Sequence, residues 1–373
     1  MLFLGEASNY RGRAARHVFA VGARRDSARL VSYLASRYSA SPDRVVLTRN
    51  GRSALALALK SLVPKGSEVA ISGFTCHAVL VAVKSASCTP VFADIEEKTL
   101  NYTPETLEKL IKSHKNLRAF VLQNTLGYPV DVRPFETLAR KYNLVLIEDM
   151  AHCTGRLYPD GREIGTIGAA TCFSFGKGKS IDAITGGALV LHKAPEKPLK
   201  TPSHLAPLSA RLRARFYPFF GTLLRASFHL HLERYLAGVL LHLHWIERSA
   251  DAPLDLSSRP THWQARLALD QFTQLKPTSR PLRTFTLVDD RPALLEKLRK
   301  AGYIFDEFWY ETPISPARYY KKSGFDEATC PVATSVARRI INLPTWYPAS
   351  ALAPAKKIIT EHKKHTTHKE QNA

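Results

Sequence analysis

Residues 45–192 carry seven short apolar runs separated by helix-forming segments, and this alternation constrains the fold more than any other feature of the chain. The runs are VVLT at 45–48, EVAI at 68–71, TPVFADI, LRAFVLQNT, NLVLIED, ATCFSF and GGALVLH. Between them lie an Ala/Leu-rich helix opened by Asn50-Gly51-Arg52-Ser53, a helix over Ala78–Ser85, one started by Thr103-Pro104-Glu105, and VRPFETLARKY. Threonine as cap with proline at the first helical position is a helix-start signal. Strands in regular alternation with helices predict an α/β fold on a mostly parallel, helix-covered seven-stranded sheet. Ligands in such sheets bind beyond the carboxyl ends of the strands. Asn124, Asp149 and Lys179 each fall just after a strand end.

The chain has 373 residues, enough for a large and a small domain. Residues 1–275 are assigned to the large domain and 276–373 to a smaller C-terminal α/β domain with a basic tail. The smaller one is expected to hold a strand at RTFTLV, a helix at DRPALLEKLRKAG, a strand at YIFDEFWY and a helix at ATSVARRI. An amphipathic helix is expected over 26–42, and the polar end of the chain is expected to fray. Residues 193–250 break the alternation. A Pro-rich stretch leads into a basic, helical segment rich in Leu, His and aromatics. It suits a membrane-surface element, or a helical pair packed on the body or across a dimer interface.

The formal net charge of +21 favours acidic partners such as nucleotide diphosphates or an anionic membrane surface. No zinc-finger, RNP-type or helix-turn-helix pattern accompanies it, so no nucleic acid is expected. The five cysteines (Cys76, Cys88, Cys153, Cys172, Cys330) show no CxxC spacing, so reduced thiols and no metal site are expected. No 18-residue uncharged apolar stretch and no leader-like start appear, which suits a cytoplasmic protein with optional contact at the inner membrane face.

The chemistry concentrates between Val145 and Gly187. One apolar run ends in Glu148 and Asp149, and the run ending at Phe175 opens into a loop with Lys177 and Lys179. A strand delivering an acid beside a strand delivering an amine suits a cofactor that needs one of each. Pyridoxal 5'-phosphate (PLP) is such a group: its aldehyde forms a Schiff base with lysine, and a carboxylate keeps its ring nitrogen protonated. Adjacent strand positions face opposite ways, so only one of Glu148 and Asp149 can face the ring. The turn at Gly51, Arg52 and Ser53 offers N–H groups at a helix start, where a phosphate is well received.

Five segments, in order, resemble the DegT/DnrJ/EryC1/StrS family of PLP-dependent sugar aminotransferases. They are Asn50-Gly51-Arg52-Ser53-Ala54-Leu55, the run GSEVAISGFTCHAVLVAVKSASCTPVFADIE, Ile147–His152 with Gly155, Ser174–Lys179 with Gly186-Gly187, and SSRPTHWQARLALDQFTQL. The resemblance implies the PLP-dependent transferase fold type I. It implies Lys179 as the Schiff-base lysine, with Lys177 as the competing candidate if the alignment slips by two. It also implies Asp149 as partner of the ring nitrogen and His152 as a hydrogen-bond donor to the phenolic oxygen. Gly51, Arg52, Ser53 and Ser174 then surround the phosphate, and Asn124 borders the cofactor. The usual ring-stacking aromatic aligns with Cys76, with His77 as nearest substitute. Arg259 persists from the family's NYRM segment and is a candidate for holding a substrate diphosphate. The expected activity is transfer of an amino group from glutamate to a nucleotide-linked keto-sugar, in a homodimer. A PLP-dependent sugar dehydratase, in which histidine replaces the lysine, and a membrane-surface or regulatory protein keeping the fold are the alternatives.

Overall fold

The computed structural model describes residues 2–5, 22–195, 201–228, 230–305 and 309–371. The basic stretch at 11–21 and part of the Pro-rich stretch after 193 lie outside them.

All seven expected strands form one sheet: β1 (Val45–Thr48), β2 (Glu68–Ser72), β3 (Thr89–Ala93), β4 (Leu117–Leu122), β5 (Val145–Asp149), β6 (Ala170–Ser174) and β7 (Gly187–Leu191). Their spatial order is β1-β7-β6-β5-β4-β2-β3. β7 runs antiparallel to both its neighbours, and the other pairings are parallel. The near-continuous apolar character of the strands follows, since helices cover both faces. On one face Leu146 and Phe173 pack with Leu30 and Leu34 of α1 (Arg24–Arg37) and with Phe135 and Phe272. On the other, Ile147 and Cys172 pack with Ala54–Leu59 of α2 (Gly51–Leu62) and with Val79 and Leu80 of α3 (His77–Ser85). Helices α4 (Pro104–Ser113) and α5 (Arg133–Lys141) belong to the first face through Leu107, Ile111, Phe135 and Leu138.

The Gly-Gly pair is explained by close approach. A Cβ on Gly187 would lie 2.6 Å from the Asn50 backbone and 2.7 Å from the Phe173 carbonyl oxygen. Only glycine lets the turn before α2 lie this close to the end of β7.

The expected irregular segment forms two helices, α6 (Leu208–Phe228) and α7 (Glu233–His242). A strap over 246–252 follows, then α8 (His262–Gln274), which packs on α1. Beyond it, β8 (Arg283–Leu287) pairs antiparallel with β9 (Ile340–Pro344), flanked by α9 (Arg291–Lys300), α10 (Pro331–Arg339) and α11 (Ala349–Gln371).

Three expectations need correction here. Leu2–Phe3 pairs with Tyr303–Ile304, and Leu4 is buried with Val288, Leu298 and Leu343. The first residues therefore pack with the C-terminal elements rather than with the sheet of 45–192. The expected strand YIFDEFWY is limited to Tyr303–Ile304 among the described residues, and Trp309 and Tyr310 turn inward and are buried. The polar tail is helical to Gln371 because Leu352, Ala355 and Ile359 repeat at helical spacing and are buried.

Candidate functional site

β5, β6 and the start of α2 converge on one cavity lined by Asp149, His152, Lys179, Gly51, Arg52, Ser174, Cys76, Gln123, Trp309 and Tyr310, among others. Strand alternation decides between the two carboxylates at the end of β5. Glu148 shares the face of Leu146 and is fully buried. Its carboxylate accepts from Tyr158 Oη at 2.7 Å and from the backbone N–H groups of Gly165, Ile167 and Gly168 at 2.7, 2.8 and 2.6 Å. Four donors make it a clamp on the loop before β6. Asp149 points the other way, into the cavity. Burial pushes its carboxyl above the ordinary range, and the Lys179 ammonium works against that.

The two lysines separate as clearly. Lys177 Nζ donates to the Glu247 carbonyl at 2.7 Å and lies 4.7 Å from the Tyr217 ring centre. It ties the loop to the strap. Lys179 Nζ lies 3.2 Å from His152 Nε2 and 4.0 Å from the centre of the Trp309 ring. Asp182, fully buried, sets the shape of this loop by accepting from Gly178 N–H at 3.1 Å and Ile184 N–H at 2.9 Å.

His152 is buried, and its Nδ1 accepts from Leu126 N–H at 3.1 Å. That bond places the ring's proton on Nε2, the atom that faces Lys179 and, at 3.4 Å, Tyr310 Oη. Burial, then the Lys179 and Arg283 charges, holds the ring far below its usual pKa and therefore neutral. Its face stacks on Trp309, with ring centres 4.7 Å apart and planes 17° apart. Trp309 is itself fixed by Arg283, whose guanidinium sits 5.0 Å from the Trp309 ring and 5.5 Å from the Trp346 ring. Arg283 is fully buried and donates to Asn342 Oδ1 and to the carbonyls of Leu4 and Gly5.

At the start of α2, Asn50 caps the helix by accepting from Ser53 N–H at 2.9 Å, worth about 1 kcal/mol. The N–H groups of Gly51 and Arg52 occupy the first helical turn, where no intrahelical acceptor exists. A Cβ on Gly51 would meet Ser174 Cβ at 2.7 Å, so the glycine brings the helix start against the end of β6.

The structure redirects several expected site residues. Arg52 turns its two terminal nitrogens to the strap, donating to the carbonyls of Ala252, Ala250 and Ser249, while its Nε is buried without a partner. Ser53 Oγ is engaged by Asn50 Oδ1 and by the Asp255 carbonyl. Asn124 is fully buried in a left-handed turn, where its Oδ1 accepts from Val130 N–H at 3.0 Å; its neighbour Gln123 reaches the cavity instead. His77 stacks on Tyr319 at 4.2 Å, away from the cavity, and burial lowers its pKa to about 4. Cys76 lines the cavity and caps α3 through Sγ, 3.5 Å from Ala78 N. Arg259 lines it too. An aromatic ring does border the cavity, but it is Trp309, stacked on His152, from a segment more than two hundred residues after Cys76 and His77. Its only signal was the aromatic density of the segment 303–310, which alternation makes look like a strand.

A parallel sheet that presents a carboxylate and a lysine from neighbouring strand ends to one cavity is the arrangement of the PLP-dependent transferases of fold type I. The model of the DegT/DnrJ/EryC1/StrS aminotransferase family matches residues 35–197. A UDP-N-acetyl-3-dehydro-alpha-D-glucosamine 3-aminotransferase of Acidithiobacillus ferrooxidans is 27% identical over 309 residues, 80% of this chain and 78% of that protein. A pleiotropic regulatory protein of Geobacillus stearothermophilus is 25% identical over 313 residues, 80% of this chain and 78% of that one. The structure described as a sugar aminotransferase of Streptococcus pneumoniae in its PMP-form covers 99% of both chains with a TM-score of 0.68 at 19% identity. That protein's structures include a PLP-form and a PMP-form, so pyridoxal phosphate is the group to test against this cavity.

The residues present fit that group. Gly51 leaves the helix start open where a Cβ would close it against Ser174. Asp149 is a half-buried, desolvated carboxylate that accepts from Ala151 N–H at 3.0 Å and feels one cation, Lys179. His152 carries its N–H at Nε2, in the cavity beside Lys179 and within 3.4 Å of Tyr310 Oη.

Proposed function

We propose that the protein transfers an amino group from glutamate to a nucleotide-linked keto-sugar, with Lys179, Asp149 and His152 in the reacting positions. The observation that carries this reading is the convergence of Lys179 Nζ and His152 Nε2, 3.2 Å apart, on the cavity that Asp149 lines. The bound cofactor supplies an electron sink and a carbonyl that exchanges between amines. Asp149 provides the anionic oxygen that keeps a ring nitrogen protonated, and its desolvation makes that charge pairing strong. His152 Nε2–H donates to a phenolic oxygen and keeps that oxygen beside the lysine. Lys179, once free, would move a proton from the substrate carbon that bears the nitrogen to the cofactor carbon on the other side of that nitrogen, as base and then acid. Gly51 N–H, Arg52 N–H and Ser174 Oγ hold the phosphate. Trp309, 4.0 Å from Lys179 Nζ and stacked on His152, shields the lysine from water.

The cavity also suits a polyanionic substrate. Arg49, Arg52, Arg211, Arg213, Arg248, Arg259, Lys177 and Lys179 line it, against only two carboxylates, Asp149 and Glu247. Arg49 is 7% exposed, and its Nη1 is buried without a partner. Such a cleft draws in a diphosphate. A lysine at 179 argues against the dehydratase alternative. A second copy of the chain and an anionic membrane face belong to the same reading as partners.

The test is a single-turnover reaction of the PLP-loaded protein with glutamate, followed by a panel of nucleotide-linked keto-sugars. One equivalent of 2-oxoglutarate per site, then an aminated sugar, is the expected result. No 2-oxoglutarate from a fully loaded protein would remove the aminotransferase reading.

A further inference from the structure

Arg283 stands on β8 with none of its surface exposed. Taking a guanidinium out of water is costly unless its donors are matched. Here they are: Nε donates to Asn342 Oδ1 on β9, and the terminal nitrogens donate to the carbonyls of Leu4 and Gly5. The Trp309 ring lies 5.0 Å from the charge and the Trp346 ring 5.5 Å. An apolar side chain of similar volume would fill the space at no greater cost. What the arginine adds is orientation rather than stability.

That orientation passes to the site. Leu2–Phe3 pairs with Tyr303–Ile304, and Leu4 N–H donates to the Ile304 carbonyl at 2.7 Å. One short segment therefore anchors the strand that precedes Trp309 and also grips the arginine beside its ring. Trp309 in turn lies against His152, with ring centres 4.7 Å apart and planes 17° apart. The bond from Leu126 N–H fixes the tautomer of His152 but leaves the ring room to turn. Its Nε2 has two neighbours in reach, Lys179 Nζ at 3.2 Å and Tyr310 Oη at 3.4 Å. The plane of the ring decides where the Nε2–H is aimed between them, and the Trp309 stack sets that plane.

We propose that Arg283 is a positioning residue for the amino transfer: it holds Trp309 on His152, and the carbonyls of Leu4 and Gly5 hold Arg283. Residues 4 and 5 thereby act on a cavity that they do not line. The inference rests on the PLP reading above, in which His152 Nε2–H meets the phenolic oxygen.

The experiment compares the full-length, PLP-loaded protein with Arg283→Met, a chain lacking residues 1–5, Leu352→Ala and His152→Phe. Leu352 is buried in the same cluster as Leu4, so its truncation weakens the C-terminal elements without touching the stack. The first readout needs no substrate: the visible absorption band of the bound cofactor, which responds to the hydrogen bond at its phenolic oxygen. Arg283→Met and the deletion are expected to move this band toward that of His152→Phe. Both are expected to slow the glutamate half-reaction roughly tenfold to a hundredfold. Leu352→Ala is expected to keep the wild-type band and rate at a lower urea midpoint. In a Trp309→Leu background Arg283→Met is expected to cost less than about twofold more, because its route to His152 is gone. A wild-type band and rate in either Arg283→Met or the deletion overturns the proposal. So does a change in Leu352→Ala as large as theirs, or an undiminished effect of Arg283→Met once Trp309 is absent. If wild-type protein binds PLP but yields no 2-oxoglutarate, the amino-transfer reading falls, and the band alone decides whether Arg283 aims His152.

Discussion

The strand ends at Asp149 and Lys179 and the hairpin α6–α7 border the same cavity but are built by opposite logic. At the strand ends the groups that set the geometry are held by several partners or from behind. Glu148 has four donors, Asp182 holds two N–H groups of the lysine loop, and His152 has its tautomer fixed from behind by Leu126. In the hairpin the apolar side chains face solvent, and the guanidinium Nε atoms of Arg211 and Arg213 are buried without acceptors. The first region spends its interactions internally and so holds the lysine loop and the loop before β6 in place. The second leaves its interactions unmade, which is the condition of a surface that binds something else. Chemistry belongs to the first region and recognition to the second.

The sharpest way to break this division is to exchange the two lysines. Lys179→Ala should lower the glutamate half-reaction by about 10⁴-fold or more, since it removes both the carbonyl partner and the proton carrier. Lys177→Ala, two residues away, should act mainly through the lost tie to Glu247, at about tenfold or less. Stopped-flow measurement on both proteins decides it. Comparable losses would mean that the loop is not held in the register described.

Glu148→Ala comes next. It strands a tyrosine hydroxyl and three backbone N–H groups in the interior, so about 3–5 kcal/mol of stability should go, read from the urea midpoint at constant slope. A loss below about 1 kcal/mol would show that this corner is as loosely committed as the hairpin, and the contrast would fail.

The same contrast governs what sequence could reveal. The sheet was legible because burial on both faces writes an unbroken apolar run into each strand, and the acid and amine stand at fixed offsets from those runs. Glycines at 51 and 187 were legible as motif residues because close backbone approach admits nothing larger. What stayed hidden depended on long-range placement. Nothing near Arg52 in sequence announces that carbonyls some two hundred residues later would take its donors. Trp309 reaches the cavity, unforeseen, because Ile314–Ser315 pairs with Thr75–Cys76 and brings the C-terminal segment to the cavity's edge. The pairing of Leu2–Phe3 with Tyr303–Ile304 was invisible for the same reason: two-residue strands carry no periodicity. For the hairpin, composition showed a basic amphipathic element but could not say which face would be turned out.

The smallest effect is the most telling. Replacing two phenylalanines by glutamine in a core would cost several kcal/mol. At Phe216 and Phe219, 45% and 61% exposed on an outward stripe, F216Q/F219Q should change the stability of the free protein by within about 0.5 kcal/mol per site. Part of each ring still contacts the hairpin, since Phe219 packs edge-on against Phe220 at 5.6 Å, so a slight loss is the expected sign. Denaturation should be run without lipid and at several protein concentrations. A loss of about 2 kcal/mol or more that grows with concentration would mean that these rings are already buried in an assembly, and the hairpin would then belong with the strand ends as internal structure.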